Sequence, residues 1–105
     1  MPPPPEQFAA AAVACPPAPY GVQRNAPGGG KTVALTFDDG PGTSTDAILR
    51  ILTANHLPAT FFDIGINESA RPATVRSIAA GGFLLGNHSW SHPDMSRLTA
   101  AQQAA

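Results

Sequence analysis

Apolar residues recur along this chain with two different periods, and the alternation between them predicts the order of its elements. Residues 31–37 are β-branched and apolar and stop abruptly at Asp38-Asp39-Gly40-Pro41-Gly42. That is the pattern of a buried strand followed by a loop. Thr43 or Ser44 is placed to cap a helix, and Asp46 falls in its first turn, where the helix dipole favours an acid. Ile48, Leu49, Ile51 and Leu52 then form an apolar stripe at helical spacing, ended by Asn55-His56-Leu57-Pro58. Residues 59–64 read as a second strand, which Gly65 ends. Residues 69–80 read as a second helix, with Pro72 in its first turn and Gly81-Gly82 as its stop. Residues 83–85 form a short third strand that runs into Gly86-Asn87-His88. Thr99 with Gln102 makes a capping box that opens a third helix.

The order β-α-β-α-β-α predicts an α/β fold of parallel strands with right-handed crossovers. In such folds the chemistry gathers at the carboxyl ends of the strands. Asp38 and Asp39 follow the first strand and His88 follows the third. They are therefore expected at the same end of the sheet.

Composition changes this picture mainly at the amino end. Residues 1–30 hold eight of the chain's 12 prolines and the run Gly28-Gly29-Gly30. Such a stretch supplies few backbone donors and buries little, so it reads as a disordered arm or linker. The fold is expected in residues 31–105, near the lower limit for a self-sufficient core. The net charge of −1 and the lack of any Lys/Arg run argue against a nucleic-acid partner. No apolar stretch approaches the roughly 20 residues of a membrane-spanning helix. The single cysteine, Cys15, excludes an internal disulfide; a free thiol in the arm fits better than a lipidation site, because no basic residue precedes its weakly apolar lead-in.

Two local patterns mislead. Gly28-Gly29-Gly30-Lys31-Thr32 suggests a phosphate-binding loop, but Asn25 stands where the first glycine is required, and a strand follows instead of a helix. Asp39-Gly40 suggests a hairpin turn, but Pro41-Gly42 and a helix cap come next.

His88 and His92 are four positions apart, which on a helical turn or compact loop lets both imidazoles face one ion. On its own the pair is also readable as a strand cap and a surface residue, and the two acids as a solvated loop. Together, two histidines and one carboxylate make a ligand set with coordination positions left open, as catalysis requires. A metal at such a site lowers the pKa of a bound water toward about 7. A second, non-ligating carboxylate can take that water's proton. The same ligand set serves non-haem iron oxygenases, although those use an antiparallel double-sheet scaffold that the alternating pattern here contradicts.

Thr36-Phe37-Asp38-Asp39-Gly40-Pro41 and His88-Ser89-Trp90-Ser91-His92-Pro93 together resemble the first two signature motifs of the NodB-like polysaccharide deacetylases, carbohydrate esterase family 4. Ala59-Thr60-Phe61-Phe62 and Gly86-Asn87 also resemble that family's second strand and the lead-in to its histidine motif. The resemblance covers residues 31–105 and implies the amino-terminal part of a distorted seven- or eight-stranded (β/α) barrel, with helices outside. It implies hydrolysis of N- or O-linked acetyl groups on a polysaccharide or oligosaccharide by a metal-activated water. Asp39, His88 and His92 would hold a divalent metal, zinc first and cobalt or manganese as alternatives, and Asp38 would be the general base. Gly40 and Pro93 would shape the two loops, and Trp90 would either pack beneath the site or touch sugar. Asp63 and Gly82-Phe83 depart from common family choices at positions outside the catalytic set. The family's later motifs, including the general-acid histidine, match nothing up to residue 105, so the chain reads as a fragment. The alternative is an inactive metal- or glycan-binding module. Its polymeric substrates imply an extracellular or cell-envelope location. Oligomeric state is not legible in the sequence.

Overall fold

The computed structural model describes residues 19–25, 28 and 30–104. Most of the expected arm, Cys15 included, lies outside the described residues. Three strands, β1 (Thr36–Asp38), β2 (Thr60–Asp63) and β3 (Leu84–Asn87), form one sheet in the order β1-β2-β3. Both pairings are parallel, and Thr36, Thr60 and Leu84 lie in register. Helices α1 (Thr45–Ala54), α2 (Gly65–Ala70) and α3 (Pro72–Ala80) fill the connections. A 3-10 turn (Met95–Arg97) and a short helix α4 (Ala100–Ala104) follow β3.

The strands alternate as a pleated sheet must. Phe37, Phe61 and Leu85 share one face, and Phe61 is buried there against Leu49 and Leu52 of α1 and Ile78 of α3. Phe61 stacks on Phe37 at 5.1 Å and meets the edge of Phe83 at 5.8 Å, a geometry that adds to simple area burial. Thr36, Thr60 and Leu84 share the other face, where Leu84 is 68% exposed. The core is therefore one-sided, set between the sheet and helices α1 and α3.

Several boundaries differ from the sequence reading. The first strand was expected over 31–37, yet the ladder begins at Thr36. Its partner strand starts only at Thr60, two residues after Pro58, which has no N–H to donate to a longer ladder. The last bond on that side runs from the Thr60 N–H to the Leu35 carbonyl. The helix expected over 69–80 is two helices broken at Arg71 (φ −134, ψ 57), because a residue before proline is driven out of the helical region. Gly65, expected only to end a strand, starts α2. Ser44 occupies the cap of α1 without a side-chain bond; instead the buried Thr45 hydroxyl accepts the Gly42 N–H at 2.9 Å. The capping box at α4 forms as expected: Thr99 N–H donates to Gln102 Oε1 at 2.9 Å, and Gln102 N–H donates to Thr99 Oγ1 at 3.2 Å.

Candidate metal centre

The first motif leaves the sheet directly after β1. Asp39 N–H still donates to the Phe62 carbonyl at 3.2 Å, and the Gly40 carbonyl accepts from Ile64 N–H at 2.8 Å. Between those two ladder bonds Asp39 turns into the left-handed region (φ 71). For a residue other than glycine that conformation costs about 1–3 kcal/mol unless neighbours hold it. Asn67 Nδ2 donates to the Asp39 carbonyl at 2.8 Å.

The histidine motif is a compact loop, not a helical turn. His88 N–H donates to the Asp63 carbonyl, the last ladder bond between β2 and β3. Ser89 (φ 65) and His92 (φ 58) are both left-handed. Ser89 N–H donates to Asn87 Oδ1 at 2.8 Å, and Ser89 Oγ accepts His92 N–H at 2.9 Å. These side-chain bonds replace the backbone turn that the sequence lacks glycine to make. The chain doubles back so that the two imidazoles lie 4.9 Å apart, tilted by 58°.

Three donors then converge. Asp39 Oδ1 is 3.1 Å from His88 Nε2 and 3.5 Å from His92 Nε2. One ligand atom from each residue lies within 4.8 Å of the others. Donors sharing one tetrahedral ion are about 3.3 Å apart, given metal–ligand bonds of about 2.0–2.1 Å. Two imidazoles and a carboxylate at these separations therefore fit a divalent metal with positions left open. The site faces solvent, with the Asp39 side chain 64% exposed.

Asp38 is the last residue of β1 and exposed, and it stands outside the three-donor group. His56, the remaining histidine, sits in the turn before β2, whereas the cluster lies beyond β2's carboxyl end. Trp90 lies over Gly65: a Cβ added there would come within 2.4 Å of Trp90 Cε3.

Asp63, which the sequence places outside the catalytic set, is unusual. It is 2% exposed, and neither carboxyl oxygen has a hydrogen-bond partner among the described residues. Burial pushes its carboxyl above the ordinary carboxylate value of 3.8, and the nearby Glu68 carboxylate adds to the shift. A Cβ on Gly40 would lie 3.2 Å from Asp63 Oδ1, so the first motif packs directly on this acid. The one signal in the sequence was an acid at the inward-facing end of an otherwise apolar strand. A carboxyl raised on folding stabilises the fold below the ordinary value and loses that contribution as pH rises through the raised one. Asp63→Asn, which cannot ionise, is accordingly expected to flatten this decline with pH. Denaturant midpoints measured across the acid-to-neutral range for both proteins check it.

Among known proteins, the family described as polysaccharide deacetylase matches residues 25–105. The chain belongs to this family. A chitin deacetylase of Colletotrichum lindemuthianum is 43% identical over 76 residues, 68% of this chain and 31% of its own length. A chitooligosaccharide deacetylase of Bradyrhizobium is 43% identical over 75 residues, 70% of this chain and 34% of its own. Among solved structures, a family 4 carbohydrate esterase from Streptomyces lividans in complex with acetate superimposes with a TM-score of 0.65 at 44% identity. That match covers 67% of this chain and 36% of the esterase. A peptidoglycan deacetylase from Bacillus subtilis gives a TM-score of 0.65 at 42% identity, covering 67% and 35%. The parallel sheet with its outer helices is thus part of the (β/α) barrel of this deacetylase fold. The chain spans about a third of the length of these relatives.

Proposed function

We propose that this chain carries the metal-binding and water-activating part of an enzyme that removes acetyl groups from a polysaccharide. The observation that carries the reading is the convergence of Asp39, His88 and His92 at ligand separations, on the two motifs the family resemblance singles out. The left-handed backbone at Asp39 and His92 supports it, since strained conformations concentrate at functional sites.

Asp39 Oδ1 and the Nε2 atoms of His88 and His92 would hold a divalent metal, zinc by preference for this donor set. Bound there, the metal supplies Lewis acidity, which lowers the pKa of a water and polarises an acetyl carbonyl. Asp38 would be the general base that takes the water's proton. Asp38 stands outside the ligand group, which leaves its carboxylate available for that role. The open, exposed cluster leaves room for a polymer to approach. Residues 31–105 form the catalytic-domain segment in this reading, with residues 1–30 as an arm or linker.

Chitin and peptidoglycan, named for the relatives, are acetylated polymers, and an acetylated poly- or oligosaccharide is the proposed substrate here. Such polymers place the reaction at the cell envelope or outside the cell. No helix among the described residues is long and apolar enough to cross a membrane.

The test is acetate release from acetylated chito-oligosaccharides, with and without added zinc. Two forms are assayed: the chain itself, and the chain grafted onto the remaining two thirds of the Colletotrichum enzyme. Zinc-dependent release by the graft, abolished by Asp38→Asn, is expected. A well-folded graft that binds zinc but releases no acetate would refute the deacetylase reading and leave a metal- or glycan-binding module in its place.

A further inference from the structure

Helix α2 interrupts what the sequence presents as a strand end, a loop and a single helix, and its first turn touches both ligand-bearing loops. The leading N–H groups of a helix have no partner within it. Here Gly65 N–H donates to the Ser89 carbonyl at 2.9 Å and Ile66 N–H donates to the Trp90 carbonyl at 2.9 Å. Both acceptors lie between His88 and His92. The next residue, Asn67, turns its side chain the other way. Its Nδ2 donates at 2.8 Å to the carbonyl of Asp39, 28 positions earlier in the chain. Three consecutive residues thus grip the histidine loop with main-chain donors and the aspartate loop with a side-chain donor.

We propose that Gly65-Ile66-Asn67 is a clamp that sets the separation of the carboxylate from the two imidazoles, with Asn67 the positioning residue for Asp39. The inference rests on the reading that Asp39, His88 and His92 hold a metal. Its force comes from the left-handed backbone at Asp39. The Asp39 N–H is held by the Phe62 carbonyl and the Gly40 carbonyl by the Ile64 N–H, and between these two bonds Asn67 is the donor that holds the Asp39 carbonyl. Without the Asn67 donor, the Asp39–Gly40 peptide can rotate toward an ordinary conformation and carry Oδ1 away from the imidazoles. Gly65 has a matching role on the other loop. The Trp90 ring lies against its backbone with no room for a Cβ, so the histidine loop closes flush on the helix start. Outer contacts that orient a ligand usually change metal affinity by about 10–100-fold when lost.

The experiment measures zinc affinity by competition with a chromogenic chelator, for the wild-type chain and for Asn67→Ala, Asn67→Leu and the control Ser69→Ala. The melting temperature of each metal-free protein is read alongside. Both Asn67 variants are expected to bind zinc about 10–100-fold more weakly, with the metal-free melting temperature close to wild type and Ser69→Ala unaffected. Wild-type binding with unchanged affinity in both Asn67 variants overturns the clamp alone. An affinity loss that merely tracks loss of the metal-free fold also overturns it, since a structural role would give the same result. A wild-type chain that binds no zinc overturns the metal-centre reading, and the clamp with it.

Discussion

Asp39→Asn is expected to weaken zinc binding by at least about 100-fold, more than the loss of an outer contact produces. Asn is the informative replacement because it tolerates the left-handed backbone that Asp39 adopts (φ 71). The loop therefore keeps its shape while the one anionic donor disappears. Asp39 Oδ1 is the atom both imidazoles face, at 3.1 and 3.5 Å, so its loss removes the charge around which the cluster is organised. Asp38 is not placed to substitute, being outside the donor group. Since the Asp39 side chain is 64% exposed, little packing is lost. Chelator competition reads the affinity, and an unchanged metal-free melting temperature separates the ligand effect from unfolding.

Phe61→Ala is expected to cost about 3–5 kcal/mol. Phe61 is 2% exposed on the central strand, and its ring contacts Phe37, Phe83 and the buried group of Leu49, Leu52 and Ile78. Only six hydrophobic residues are buried among those described, so no second layer can collapse into the cavity. Small domains have about 5–15 kcal/mol of total stability, and a one-sided core belongs at the low end. The variant should therefore be largely unfolded without denaturant. Urea unfolding followed by circular dichroism checks this. Ile51→Ala, at a position 62% exposed on the outer side of α1, is the control and should shift stability by no more than about 0.5 kcal/mol.

Much of this arrangement was readable from the residues because it rests on short-range chemistry. The apolar runs ending at Phe37 and around Phe61 marked the strands, and the element order made them parallel. Acids after β1 and histidines after β3 then had to meet at one end of the sheet, as they do. The Thr99–Gln102 capping box is a contact between residues three apart, and it formed as written. What escaped the reading depends on tertiary context. The amino end of β1 is set by where its partner begins, at Thr60, two residues after Pro58. Helix α2 is only six residues long and carries no buried residue, so it leaves no apolar stripe to detect. The loop between His88 and His92 is shaped by the Ser89 hydroxyl and the Asn87 amide, whose partners follow from left-handed backbone angles that no spacing rule reveals. Asn67 and Asp63 were missed for the same reason. Each matters through a group on another element, the Asp39 carbonyl for one and the Gly40 backbone for the other.

Zinc stoichiometry shows whether Asp39, His88 and His92 form one metal centre. Equilibrium dialysis of the whole chain against zinc, followed by elemental analysis, should give one tightly held ion per chain. The His88→Ala/His92→Ala double variant should give none. Failure of the wild-type chain to retain zinc, or retention undiminished in the double variant, would mean that these three residues are not a metal centre.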